Sequence, residues 1–108
     1  MAGATPLAFS RQNLPALVLE DGIFLVGGLA RPASEVTTLR DVSVYRPRTD
    51  VWEVGTSMPS PRSFEGGAVV GHRIYIVGGF SRGDFASSRV WIFDGLQDEW
   101  SRAPRLLR

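Results

Sequence analysis

The sequence predicts an all-β protein built from two copies of one four-stranded unit. The segment "HRIYIVGGF", which begins at His72, is matched earlier in the chain by "DGIFLVGGL", which begins at Asp21. Short apolar runs alternate with clusters of Gly, Pro, Asp and Thr, the residues that turns prefer. No useful length of chain shows the 3.6-residue periodicity of an amphipathic helix. We therefore expect small antiparallel sheets and no helix.

The two copies keep a consistent register. Gly28 and Gly79 are 51 positions apart, and at this offset Arg11 falls on Arg62. Beyond the glycines the offset becomes 48, at which Trp52 falls on Trp100. The difference lies in the loop after each glycine pair, where insertions are tolerated. The chain is accordingly divided into an N-terminal segment, a first repeat and a second repeat, over residues 1–10, 11–58 and 59–108.

Each repeat is predicted to contain four short strands. Those of the first repeat are 16–19, 23–26, 41–46 and 51–55, and those of the second are 66–70, 73–77, 88–93 and 99–103. Within the strand 73–77, Ile74 and Ile76 lie on one face while Tyr75 and Val77 lie on the other. Both faces are apolar, so we expect this strand to be buried from both sides.

A four-stranded sheet that is apolar on both faces and recurs about every fifty residues is what stacked propeller blades require. The ordered elements of the second copy resemble the kelch repeat: "SPRS" with Arg62, then "AVVGHRIYIVGG", Phe93 and Trp100. The first copy matches through "IFLVGG", Tyr45 and "TDVW". The resemblance covers nearly all of residues 11–104. It implies two four-stranded antiparallel blades that belong to a larger closed propeller or to a ring formed by oligomerisation.

The resemblance also implies structural roles for the matched glycines and aromatic residues. The glycines would close the second strand of each blade, and the aromatic residues would pack between blades. These framework residues are Gly27, Gly28, Tyr45, Trp52, Gly78, Gly79, Phe93 and Trp100. Phosphate binding at the glycines is disfavoured, because a Walker A loop needs a lysine and all twelve basic residues are arginine.

The composition argues against several kinds of chemistry. There is no cysteine, and His72, the single histidine, falls in a predicted turn, where it supplies neither a metal site nor a triad. We therefore expect no enzymatic activity, no cofactor and no metal, although some kelch-like propellers resemble enzymes such as a sugar epimerase or an oxidase. A net charge of +1 favours neither nucleic acid nor membrane as a partner. No signal-peptide pattern or membrane-spanning run is present, so a cytoplasmic location is expected.

The resemblance places the candidate binding surface on one propeller face. In kelch-like propellers, the loops between blades and the loops after the glycines share the face that recognises a partner, and here they combine arginines with aromatic side chains. The candidate residues are Arg11, Arg31, Glu35, Arg62, Phe64, Glu65, Arg82, Asp84 and Phe85, and the same loops also carry Arg40. We predict a non-enzymatic module that binds a protein or peptide. The "RGD" at 82–84 is too short to predict adhesion by itself.

Two blades do not close a propeller, which needs about four to eight. An open pair leaves two apolar outer faces exposed to water, which favours association. The chain is therefore expected either to form a head-to-tail homo-oligomer, with a six-bladed trimer favoured, or to be part of a longer kelch protein. A purely structural, self-assembling unit remains the alternative to partner binding.

Overall fold

The structure is a computed structural model that describes residues 11–30, 37–63, 65–80 and 89–103. Ten strands occur in this part of the chain: β1 (Ala16–Leu19), β2 (Gly22–Val26), β3 (Leu29–Ala30), β4 (Thr37–Thr38), β5 (Val42–Arg46), β6 (Val51–Val54), β7 (Gly66–Val70), β8 (Arg73–Val77), β9 (Val90–Asp94) and β10 (Glu99–Ala103). The described residues form no helix, so the predicted all-β class is confirmed.

Two antiparallel four-stranded sheets account for the eight long strands. Blade 1 has the order β1-β2-β5-β6, and blade 2 has the order β7-β8-β9-β10. The eight predicted strands agree with the observed ones to within two residues at each end. The short pair β3 and β4 was not predicted; it joins Leu29 to Thr38 within the loop that follows the first glycine pair. Strands of two residues leave too little alternation in the sequence to reveal them.

The repeat register is preserved in the packing of the aromatic residues. Tyr45 pairs with Trp52 across β5 and β6, and their ring centroids are 5.0 Å apart. Phe93 pairs with Trp100 across β9 and β10 at 5.2 Å. Because the interplanar angles are also similar, 49° and 47°, the two blades repeat the same side-chain arrangement as well as the same topology.

Each blade has two faces, and we define each face by one aromatic residue that it carries. Face A carries Phe24 in blade 1 and Tyr75 in blade 2, whereas face B carries Tyr45 in blade 1 and Phe93 in blade 2. Face A of blade 1 packs against face B of blade 2, and the rings of Phe24 and Phe93 lie 5.9 Å apart across this seam. The buried core of the seam consists of Leu19, Phe24, Val26, Val42, Val44, Met58, Ile74, Ile76 and Phe93.

The prediction that β8 is buried on both faces is wrong for the described chain. Ile74 and Ile76 are fully buried on face B of blade 2, but Val77 on face A is 38% exposed. The corresponding outer face of blade 1, face B, also faces solvent: Val18 is 64% exposed. The physical reason is that only one inter-blade seam exists between two blades, so the described chain covers one face of each sheet.

Aspartates shape the turn between β5 and β6 in blade 1 and the turn between β9 and β10 in blade 2. Asp50 and Asp98 occupy matched positions and have positive φ angles of 55° and 57°. In the second turn, Asp94 Oδ1 accepts hydrogen bonds from the backbone amides of Leu96 at 2.9 Å and Gln97 at 3.3 Å. These contacts agree with the turn-forming role expected for the acidic residues, because Asx side chains cap turns in this way.

The second glycine of each pair sits where backbone segments cross closely. Gly28 and Gly79 have φ angles of 97° and 86°. A Cβ at Gly28 would lie 2.8 Å from Gln12 O, and one at Gly79 would lie 2.8 Å from Ser63 O. These contacts arise because the chain entering each blade bridges to the residue after the glycines, as Gln12–Leu29 and Ser63–Phe80. Only a residue without a side chain fits this crossing.

Gly79→Ala should therefore destabilise the fold more than Gly71→Ala. Gly71 also has positive φ, at 60°, but nothing lies within 4 Å of a Cβ placed there. We expect about 1–2 kcal/mol for the left-handed conformation at either site. The clash at Gly79 should add about 1–3 kcal/mol. Chemical denaturation of both variants measures the difference, and equal losses would contradict the close crossing as its cause.

Candidate partner-binding face

The described parts of the connections that were predicted to bind a partner lie at one end of the blades. We call this the connection end; its described residues are 27–30, 37–41, 55–63, 65, 78–80 and 89, whereas the short hairpin turns lie at the opposite turn end. Backbone hydrogen bonds link the segments of the connection end. Gly28 N donates to Arg62 O at 2.7 Å, Arg62 N to Leu39 O at 3.0 Å, and Met58 N to Arg40 O at 2.9 Å. The inter-blade connection is thus fixed to the loop of the preceding blade.

Arg11 is bound into blade 1. Its Nη2 donates to Gly27 O at 2.6 Å and Asp41 O at 2.7 Å, while Nη1 donates to Ser43 Oγ at 2.7 Å. Burial lowers the pKa of Arg11 from its ordinary value, and the negative charges of Asp41 and Glu65 oppose that shift. The guanidinium holds together the end of β2 and the start of β5, which fixes both ends of the loop between them.

Arg62, the counterpart of Arg11 in the second repeat, is 3% exposed. Its Nη1 donates to Ser60 Oγ and to Pro61 O, both at 2.8 Å. The Arg11 contact to Ser43 has no equivalent in blade 2, because Trp91 occupies the matched position. The shared arginine position therefore has different neighbours in the two repeats.

Glu65 is the least expected residue at the connection end. Glu65 is only 7% exposed, and neither of its carboxylate oxygens has a hydrogen-bond partner in the described chain. Burial raises the pKa of Glu65 to about 7, although the nearby charges of Arg62 and Arg11 act in the opposite direction. The matched residue in the first repeat is Leu14. A carboxylate therefore occupies a position where the other repeat has an apolar side chain.

The remaining candidates divide by exposure. Arg40 is exposed at the connection end, as is Phe80, which is 41% exposed and directly follows the second glycine pair. Sequence reasoning did not single out Phe80; an aromatic residue where the first repeat has Leu29 was the available signal. Six candidates lie outside the described residues: Arg31, Glu35, Phe64, Arg82, Asp84 and Phe85. Partner contact at any of the candidate residues stays a prediction.

The turn end carries the only histidine of the sequence. His72 Nδ1 lies 3.1 Å from Glu20 Oε1, and both side chains are more than half exposed. A cleft of about 300 Å³ opens nearby between the blades, with Phe24 and Phe93 among its lining residues. At its edge, Arg46 forms an ion pair with Glu53 at 3.1 Å.

The described residues contain neither a cluster of metal ligands nor a membrane-spanning helix. No group of three or more His, Asp or Glu side chains in this part of the chain is arranged to hold a metal ion. Among the same residues there is no helix long and apolar enough to cross a membrane.

Comparison with known proteins identifies the class of the fold. Two family models, both described as "Kelch motif", match residues 10–59 and 68–107. A solved structure entitled "Structure of YjhT" superimposes with a TM-score of 0.80 at 15% identity, covering 90% of this chain and 39% of that one. The fold is thus that of kelch propeller blades, and the chain belongs to the kelch-repeat family.

Particular relatives share this repeat at moderate identity. Kelch-like protein 35 of Mus musculus is 31% identical over 96% of this chain, and Kelch-like protein terF of Aspergillus terreus is 30% identical over 91%. Beta-scruin of Limulus polyphemus is 30% identical over 90%. The chain spans 17%, 22% and 11% of the lengths of these relatives, respectively.

The buried carboxylate of Glu65 predicts a pH-dependent stability. Its pKa in the folded state, about 7, is above the ordinary value of 4.5, so the folded state holds the proton more tightly than the unfolded state. The contribution of Glu65 to stability is therefore fully present below about pH 4.5 and is lost as the pH rises through 7. Glu65→Leu, which copies Leu14, should remove this dependence and raise the free energy of unfolding at pH 8 by about 1–3 kcal/mol.

Urea denaturation at several pH values measures this effect. Glu99→Gln removes an exposed carboxylate from β10 and serves as the matched control. A Glu65→Leu variant that is less stable than the wild-type protein at pH 8 would show that the carboxylate has a stabilising partner.

Proposed function

We propose that this chain is a non-enzymatic protein-interaction module that binds a protein or peptide at its connection end. The observation that carries the proposal is the set of backbone hydrogen bonds that joins the segments of the connection end. Gly28, Leu39 and Arg62 are joined through their backbones, so the loops start from fixed positions. Membership of the kelch family and the relatives named Kelch-like proteins support the same class of function.

The chemistry at this end fits recognition of a polypeptide. Arg40 is exposed beside the inter-blade connection, and Phe80 presents an aromatic ring after the second glycine pair. Arginine and aromatic side chains are enriched in the energetically important parts of interfaces. A guanidinium also binds carboxylates with two parallel hydrogen bonds, which favours a partner that offers acidic side chains.

Part of this proposal is that the module is not an enzyme. The chain contains no cysteine and one histidine, which lies at the turn end beside Glu20 rather than among the loops proposed to bind. General acid–base or covalent catalysis at the connection end would have to rely on carboxylates and hydroxyl groups, without histidine, cysteine or lysine. The cytoplasmic location expected from the sequence stays a prediction.

Substitutions at the connection end should weaken partner binding. A peptide selected on the wild-type protein from a displayed library provides the probe, and its affinity is measured by fluorescence polarisation. We expect Arg40→Ala and Arg82→Ala to weaken binding at least about tenfold, as is typical when an arginine contact at the centre of an interface is lost. Arg62→Ala is less informative, because the residue is buried and its loss would also lower stability.

His72→Ala is the control, because His72 lies at the turn end and is exposed. This variant should bind the peptide with wild-type affinity. A peptide whose binding depended on His72 but not on either arginine would overturn the assignment of the connection end.

A further inference from the structure

By the repeat, the two outer faces of the described chain correspond to the two surfaces that meet in its internal seam. Inside the chain, face A of blade 1 packs against face B of blade 2. Face A of blade 2 and face B of blade 1 are left over. We infer that a second copy of this chain docks head to tail, with face B of its blade 1 on face A of blade 2, and that repetition of this contact closes a ring.

The exposure of matched residues shows that the outer faces lack a cover. Val26 is fully buried in the internal seam, whereas its counterpart Val77 is 38% exposed. Leu19 is 2% exposed in the seam, whereas its counterpart Val70 is 64% exposed. Water therefore contacts the apolar side chains that, one repeat earlier, form the core between blades, and burial of this surface favours association.

The side chains that interlock within the internal seam indicate that the outer faces are covered by a second copy of the chain. A Cβ placed at Gly67 would lie 2.8 Å from Leu17 Cδ1, so a glycine faces a leucine there. Transferred by the repeat offset of 51, this pair becomes Ala16 on the outer face of blade 1 and Ala68 on the outer face of blade 2. Compared with the internal pair, the outer face of blade 1 has alanine in place of glycine, and the outer face of blade 2 has alanine in place of leucine. One residue is therefore larger and the residue proposed to face it is smaller.

A second pair shows the same compensation. A Cβ at Gly95 would lie 2.8 Å from Leu19 Cδ2. The matched residues on the two outer faces are Pro47 and Val70. Again the glycine side becomes larger while the leucine side becomes smaller. Changes of opposite sign on blade 1 and blade 2 are expected if these two surfaces meet, because a close-packed interface is destabilised by enlarging both facing residues and by shrinking both.

The aromatic contact of the seam has a counterpart as well. Phe24 and Phe93 meet across the internal seam at 5.9 Å. By the two offsets, 51 and 48, their matched residues are Tyr75 and Tyr45. The proposed contact therefore places Tyr75 of one copy against Tyr45 of the next.

A head-to-tail contact of this kind joins two different surfaces and so continues until a ring closes. Closed propellers contain about four to eight blades, which corresponds to two to four copies of a two-bladed chain. Six blades from three copies is the assembly we expect. This inference does not rest on partner binding at the connection end, since it concerns the sheet faces and not the loops.

The first test blocks one face at a time. Val18→Glu alters face B of blade 1, and Val70→Glu alters face A of blade 2; both residues are 64% exposed, so the fold of the single chain should tolerate the change. Sedimentation of the wild-type protein at micromolar concentration should show a discrete trimer. Each variant alone should be monomeric. Mixed together they should form a one-to-one complex with twice the monomer mass, because each retains the face that the other has lost.

Val54→Glu is the matched control. Val54 is 94% exposed on face B of blade 1, but its counterpart Arg102 is also exposed, so this position lies outside the interlocked area. The control should assemble like the wild-type protein. A monomeric wild-type protein, a single-face variant that still dimerises with itself, or a mixture that does not associate would each overturn the inference.

The second test uses the compensating pair. Ala68→Leu restores the larger residue of the internal seam opposite an unchanged Ala16, and we expect it to weaken association at least about tenfold through overpacking. Adding Ala16→Gly should restore association, because it recreates the Leu17–Gly67 pair across the copy boundary. Failure of the second substitution to rescue the first would show that Ala16 and Ala68 do not meet. Both residues are exposed in the single chain, so circular dichroism should report an unchanged fold for all three proteins.

Discussion

The rest of this structure depends on the packing of one sheet face against the next. A four-stranded blade with apolar side chains on both faces cannot cover either of them by itself, and the short chain between Val54 and Gly66 delivers a second blade onto the first. Ile74 and Ile76 from blade 2 are fully buried in one core cluster with Val26 and Val44 of blade 1. The same packing that creates this core buries one face of each sheet and leaves the other face exposed to solvent. Stability and the tendency to assemble therefore arise from one interaction.

The connection end derives its order from the same seam. Because the chain must pass from β6, at one edge of blade 1, to β7, which contacts β1 at the other edge, it runs past Gly28 and residues 39–40. Backbone hydrogen bonds from Gly28 and Arg62 satisfy polar groups that this crossing would otherwise bury. Arg11 performs a related task within blade 1, where its guanidinium caps carbonyl groups at the ends of two strands. Loops of variable sequence can then differ between repeats without disturbing the blades.

Glu65 marks the point where the second repeat departs most from the first. This buried carboxylate interacts electrostatically with Arg62 and Arg11 but has no hydrogen bond in the described chain, so we expect it to lower stability above neutral pH relative to an apolar residue such as Leu14. Such departures from good packing occur where a protein gives up stability for another purpose. Its position beside Gly27, at the base of the connection end, links this local cost to the surface proposed to bind a partner.

The sequence by itself determined the repeat, the eight long strands and the glycines that end the second strand of each blade. Glycine pairs, alternating apolar residues and matched aromatic residues act locally, so the alignment of Gly28 with Gly79 or of Trp52 with Trp100 was sufficient to predict them. Only the tertiary structure decided which face of each sheet is buried, since the apolar pattern on both faces is identical whether or not a neighbouring blade is present. It also decided the surroundings of Glu65: the sequence suggests an exposed loop, but the burial of a side chain depends on segments that are distant along the chain and meet only when the blades pack.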